Sequence, residues 1–233
     1  MQIPWLPRAP LLLATGVAAL AAEPPHVTVE WNPPKITRRQ FDPRRPPAAM
    51  PKLSASESGV CHYEFTCDAG ISVFVEQKDA RTVEVEVDTV DMKLDLPIDI
   101  WVMVNAPAKL VKHEEGHRQI CEDYYRGCAA IARQLGQKMV GRKATGTGRN
   151  KQEAQDNAQQ ELLTELNHAY LNATRLHCRI CQDLYDDITS HGRLPIGEAE
   201  AIAQAKAMEA AGKLPSTGMP PSDPVIGPGS SRG

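Results

Sequence analysis

No stretch of this 233-residue chain stays apolar long enough to cross a bilayer. Leu11 to Ala22 is apolar over about twelve residues, short of the ~20 a spanning helix needs, and no later segment qualifies. A membrane-spanning helix is therefore not expected. Nor does one charge dominate: 26 Lys and Arg stand against 29 Asp and Glu, a net −3. Neither nucleic acid nor an anionic lipid surface is an expected partner. Three apparent motifs also lack their context. Leu214-Pro215-Ser216-Thr217-Gly218 has the form of a cell-wall sorting pentapeptide, but no apolar segment or basic tail follows it. Cys178-Arg179-Ile180-Cys181 is a C-x-x-C without a preceding strand-helix-strand pattern, which argues against redox chemistry. Asn172-Ala173-Thr174 is a formal glycosylation sequon, yet it falls inside a helical pattern.

The start of the chain is informative. Arg8 precedes the apolar stretch, which ends in the small-residue pattern Ala19-Leu20-Ala21, the form of a cleavable secretory signal over residues 1–22. The mature chain, beginning near Ala22 or Glu23, is expected to be soluble and secreted or periplasmic. Its 42% hydrophobic content suits one core and one domain with loose ends. Six cysteines, an even number, fit an oxidising compartment. If Cys61 to Cys67 is one extended strand, its ends lie roughly 20 Å apart, whereas a disulfide needs Cα atoms within about 7 Å. Cys121/Cys128 and Cys178/Cys181 sit on separate helical segments, so disulfides joining those segments are expected.

Residues 23–60 form a proline-rich extended segment, with eight prolines between Pro24 and Pro51. No helix runs through such a stretch, and only His26 to Trp31 alternates like a strand. From Cys61 the apolar period is two: Cys61, Tyr63, Phe65 and Cys67, then Ile71, Val73 and Val75, then Thr82 to Val87, then Ile98 to Val104. Short turns at Asp68–Gly70 and Lys78–Ala80 make this an antiparallel meander. From Pro107 the period becomes helical through Met139. Gly141 to Asn150 interrupts it, and a second long helix carries Leu162, Leu166, Ala169, Ala173, Leu176, Ile180, Leu184 and Ile188 on one face. The two helices are expected to pair as an antiparallel hairpin, ended by Gly192 and Pro195. A short helix over 196–211 and a disordered tail over 212–233 complete the chain.

The first helix carries His113-Glu114-Glu115-Gly116-His117. Residues four apart lie on one helical face, so both imidazoles can reach a single ion with Glu114 beside them. Zn²⁺ with two His nitrogens and a third protein ligand keeps a position for water and lowers its pKa toward ~7, while the glutamate accepts the proton. The same five residues also suit the charged, solvated face of a helix. In the metzincin pattern the third ligand follows six residues later, past a glycine. Here those positions are Ile120 and Asp123; with the helix continuing, Asp123 lies about 9 Å along the axis and out of reach. Candidates on or just past the second long helix are Glu161, Glu165, His168, His177, Asp183, Asp186, Asp187 and His191. A hairpin favours the later ones.

The His113 to His117 run, followed by Tyr185-Asp186-Asp187-Ile188-Thr189-Ser190-His191-Gly192, resembles the predicted secreted zinc-dependent proteases of bacteria, the domain-of-unknown-function family numbered 922. That family pairs an H-E-x-G-H helix with a downstream Y-D-x-x-T-x-H-G element. The resemblance covers roughly Ile98 to Pro195 and implies zinc and hydrolysis without naming a substrate. Together these readings lead to an α+β domain over 61–195: a small antiparallel sheet packed on a disulfide-stapled helical hairpin with a zincin-like site. His113, His117 and His191 are the expected zinc ligands and Glu114 the general base. Tyr185 is a candidate hydrogen-bond donor to the oxyanion, or else a core aromatic, and Asp186 a candidate orienter of a ligand imidazole. An edge strand is expected to hold an extended peptide or protein substrate by strand addition. The rival reading is a non-catalytic exported binding or assembly protein whose zinc site is structural or vestigial.

Overall fold

The computed structural model describes residues 26–53 and 57–217. The signal segment expected over 1–22 and the tail beyond Thr217 fall outside the described residues. Two small sheets and a layer of helices share one core, so the α+β class holds while the simple meander does not. In one sheet β5 (Thr82–Asp95) is central, flanked by β4 (Thr66–Gln77) and β1 (Val27–Trp31), with β7 (Lys143–Thr147) also paired to β5. In the other, β6 (Pro97–Met103) lies between β2 (Lys35–Phe41) and β3 (Gly59–Tyr63). Strands β1 and β2 run parallel to β5 and β6, while β3, β4 and β7 run antiparallel to their partners.

The proline-rich segment is thus built into both sheets. The strand expected over Cys61 to Cys67 is divided: β3 ends at Tyr63 in one sheet and β4 starts at Thr66 in the other. Between them Phe65 is buried, with its ring edge-on to Tyr63 and Tyr125.

β5 extends far past Val87 because of a register shift. Val83, Val85 and Val87 are buried, and then burial moves to Val90, Met92 and Leu94. The pairing with β4 shifts between Ser72 and Val73, so two residues of β5 are passed where β4 passes one. That bulge reverses the alternation and keeps both halves of the strand facing the core.

The helices are α1 (Ala108–Tyr125), α2 (Cys128–Met139), α3 (Lys151–Ala173), α4 (Arg175–Thr189) and α5 (Glu198–Ala210). The first expected helix is interrupted at Arg126–Gly127 and the second at Thr174. The hairpin itself is present: α1 packs on α4 and α2 on α3. The interval read as a plain break contains β7, which docks on β5 before α3 begins. Asn150 caps α3 by accepting from the Glu153 N–H at 3.0 Å, while Glu153 accepts from the Arg149 N–H at 2.7 Å.

No helix among the described residues is long and apolar enough to cross a membrane. Residues 212–217, expected as part of the tail, reach α4: Pro215 is buried, and the Ser216 N–H and hydroxyl each donate to Asp187 at 2.6 Å.

Candidate metal centre

Two antiparallel helices each present a pair of residues four apart. On α1, His113 and His117 face α4; on α4, Gln182 and Asp186 face back. His113 Nε2, His117 Nε2 and Asp186 Oδ1 stand 3.1 Å from one another on all three sides of a triangle. Zinc bonds of ~2.0 Å set tetrahedral ligands ~3.3 Å apart, so these atoms already have the spacing of three corners around one ion. Two imidazoles and a carboxylate suit zinc or another first-row divalent ion. The three residues form a group that can hold a metal, and it is the one such group among the described residues.

The electrostatics are consistent with a paired charge cluster. Burial pushes the His117 imidazole down, yet the hydrogen bond and charge of Asp186 outweigh it and hold His117 up at about 10. Asp186 is held well below the usual carboxylate range: burial would raise it, but the two imidazoles prevail. His113 is lowered, chiefly by burial. Glu114 is 4% exposed, and burial pushes its carboxyl up to about 7, with His117 and the Cys61 N–H pulling the other way. A carboxylate poised near neutral pH is suited to taking and giving a proton. The third residue of the run faces elsewhere: Glu115 is gripped by Arg38 at 2.5 and 3.0 Å and by Arg118 at 2.6 Å, tying α1 to β2.

The structure places two of the expected site residues away from the triangle. His191, expected as the third ligand, lies outside the triangle; its half-exposed ring approaches Asp186 with Nδ1 at 3.4 Å from Oδ1, and Asp186 takes the third corner. The reason is helical phase. Asp186 is one turn past Gln182 on the face toward α1, whereas His191 lies beyond the end of α4, where Ser190 and His191 adopt φ of 48° and 54°. Tyr185, a candidate oxyanion donor, is fully buried and outside the cleft lining. Its ring stacks on His113 at 5.0 Å and meets His117 edge-on, so its role is to seat the two imidazoles. Gly116 makes room for it, since a Cβ there would come within 2.3 Å of the Tyr185 hydroxyl. Gln182 was not foreseen; its i, i+4 relation to Asp186, matching that of His113 and His117, is the signal that could have found it.

The rest of the second element positions these groups. Thr189 donates to the Tyr185 carbonyl at 2.8 Å and accepts from the Gly192 N–H at 3.2 Å. Gly192, at φ +72°, lies flush against His113, and a Cβ added there would sit 2.9 Å from the ring. Gly192→Ala is expected to cost at least about 1–2 kcal/mol from the left-handed backbone alone. Gly70→Ala, in β4 with no atom within 4 Å of the added Cβ, is expected to cost far less. Denaturant midpoints measure both; equal values would contradict this account of the turn.

A cleft of about 620 Å³ opens above the triangle, bounded by β3, α1 and α4. Gly59, Val60, Cys61 and Tyr63 form one wall, Met103, Pro107 and Leu110 add apolar surface, and His113, Glu114, His117 and Asp186 lie among its lining residues. Strand β3 pairs only with β6 among the described strands, and it is the edge of its sheet. Compared with known proteins, the chain matches no family model, no curated protein and no solved structure.

Proposed function

We propose that the protein is an exported zinc metallopeptidase that hydrolyses peptide bonds of an extended substrate laid along β3. The observation that carries this reading is the convergence of His113, His117 and Asp186 at one point. A buried Glu114 and an open sheet edge adjoin that point in one cleft. The resemblance of the His113–His117 and Tyr185–Gly192 elements to secreted bacterial zinc proteases points the same way.

His113, His117 and Asp186 would hold the ion, which when bound supplies a Lewis acid that acidifies water and polarises a carbonyl. Glu114 accepts the proton from the attacking water and delivers it to the leaving amine. Its raised proton affinity makes it a stronger base for the first act, and a neighbouring cation would favour the ionised form that act needs. Burial against β3 keeps this carboxyl away from bulk water. Edge strand β3 offers backbone groups to an extended peptide, which its apolar neighbours Met103, Pro107 and Leu110 can flank. A buried glutamate beside the ligand atoms also sets this reading above a purely structural zinc site, which has no use for it.

Export would bring oxidation. In the structure the six cysteines are thiols, with Cys121 Sγ of α1 and Cys178 Sγ of α4 4.0 Å apart. The mature protein is expected to join these two, stapling together the helices that carry the metal ligands. Peptide mapping without reductant tests this, and free thiols at both positions in the exported protein would rule out the staple.

The enzymatic reading is tested by incubating purified mature protein, zinc-loaded, with unfolded casein and a peptide library. Cleavage that stops on chelation and returns with zinc is expected. Absence of cleavage across the library would leave the binding-protein alternative standing.

A further inference from the structure

We infer that Gln182 is the positioning residue that makes His117 a metal ligand through Nε2, an inference that rests on the metal reading above. Gln182 is 4% exposed and lies on α4 one turn before Asp186. Its amide has only one tenable orientation. One end lies 2.9 Å from the backbone carbonyl oxygen of His117, which can only accept, so that end is the NH₂ group. Exchanging the amide oxygen and nitrogen would press two oxygens together at that distance. The other end, Oε1, therefore faces His117 Nδ1.

An oxygen opposite Nδ1 requires a proton on Nδ1. In the neutral ring the lone pair is then on Nε2, the atom 3.1 Å from both His113 Nε2 and Asp186 Oδ1. The amide nitrogen also donates to Cys121 Sγ at 2.9 Å, so every group of the side chain is engaged and the amide has no reason to turn. His113 is held differently. Its Nδ1 is buried without a hydrogen-bond partner, and its ring is fixed by stacking on Tyr185 and by Gly192. The choice of tautomer at the centre thus depends on one uncharged side chain. Hydrogen bonds of this kind to ligand imidazoles fix ring orientation, and their loss typically weakens metal binding ~10–100-fold.

Two measurements on the full mature chain test the assignment. In zinc-loaded protein labelled with ¹⁵N-histidine, long-range nitrogen–proton correlations are expected to show His117 protonated at Nδ1 and metal-bound at Nε2. Metal on Nδ1 would overturn the assignment without any variant. In Gln182→Met, similar in shape but without either hydrogen-bonding group, competition against a chromogenic chelator is expected to show ~10–100-fold weaker zinc binding at unchanged helix content. An affinity within about threefold of the unsubstituted chain would overturn the assignment while leaving the metal centre intact. Failure of the unsubstituted chain to take up zinc would overturn both together.

Discussion

Glu114→Gln is expected to retain zinc and fold as the unsubstituted protein does while losing hydrolysis by about 10²–10⁴-fold. The amide keeps the size of the side chain, and the carboxylate is not among the three converging ligand atoms. What it loses is the ability to accept a proton. Because Glu114 is buried and its proton affinity is raised by that burial, the neutral amide also removes a desolvated charge, so apo-protein stability is expected to be held or slightly increased. Parallel measurement of metal content, thermal unfolding and casein cleavage separates these effects. Equal cleavage by the two proteins would remove Glu114 from the mechanism.

Asp186→Ala is expected to lower zinc affinity by orders of magnitude, since it removes one of three protein ligands and leaves His113 and His117 facing each other at 3.1 Å without a carboxylate. His191→Ala provides the contrast. That ring is half exposed and contacts Asp186 only from outside the triangle, so its loss is expected to weaken zinc by about tenfold or less, as for an outer hydrogen-bond partner. Chelator competition on both variants decides between the two candidate third ligands. The reverse order, with His191→Ala the severe loss, would restore the assignment suggested by the sequence.

The sequence was most legible where one periodicity ran unbroken. His113 and His117 four apart on an amphipathic run could be placed on one face, and the paired helices followed from their apolar stripes. Where the structure departs from the expectations, the causes are physical. His191 looked like a ligand because it is a histidine just past a helix end, but a left-handed turn carries it outward while the helix phase presents Asp186. Phase is a three-dimensional property of α1 against α4, and spacing along one chain does not contain it. Of the two expectations for Tyr185, oxyanion donor or core aromatic, its place fits the second: the space left by Gly116 seats it beneath both imidazoles.

In the sheets, the bulge opposite Ser72 and Val73 breaks the alternation of β5 midway, so its second half from Val90 to Leu94 did not read as strand. β2 has the sequence Lys35-Ile36-Thr37-Arg38-Arg39-Gln40-Phe41, with almost no apolar alternation. It is a strand because β6 offers a parallel edge along its whole length and because Arg38 anchors it to Glu115 on α1. Both contacts are long-range, and neither leaves a local signal.

The central claim is that His113, His117 and Asp186 hold one zinc ion. Native mass spectrometry with elemental analysis of mature protein produced in an oxidising compartment tests it most directly. About one zinc per chain is expected, and none in His113→Ala or His117→Ala at unchanged helix content. Full occupancy in both single variants, or no metal in the unsubstituted chain after zinc loading, would contradict it.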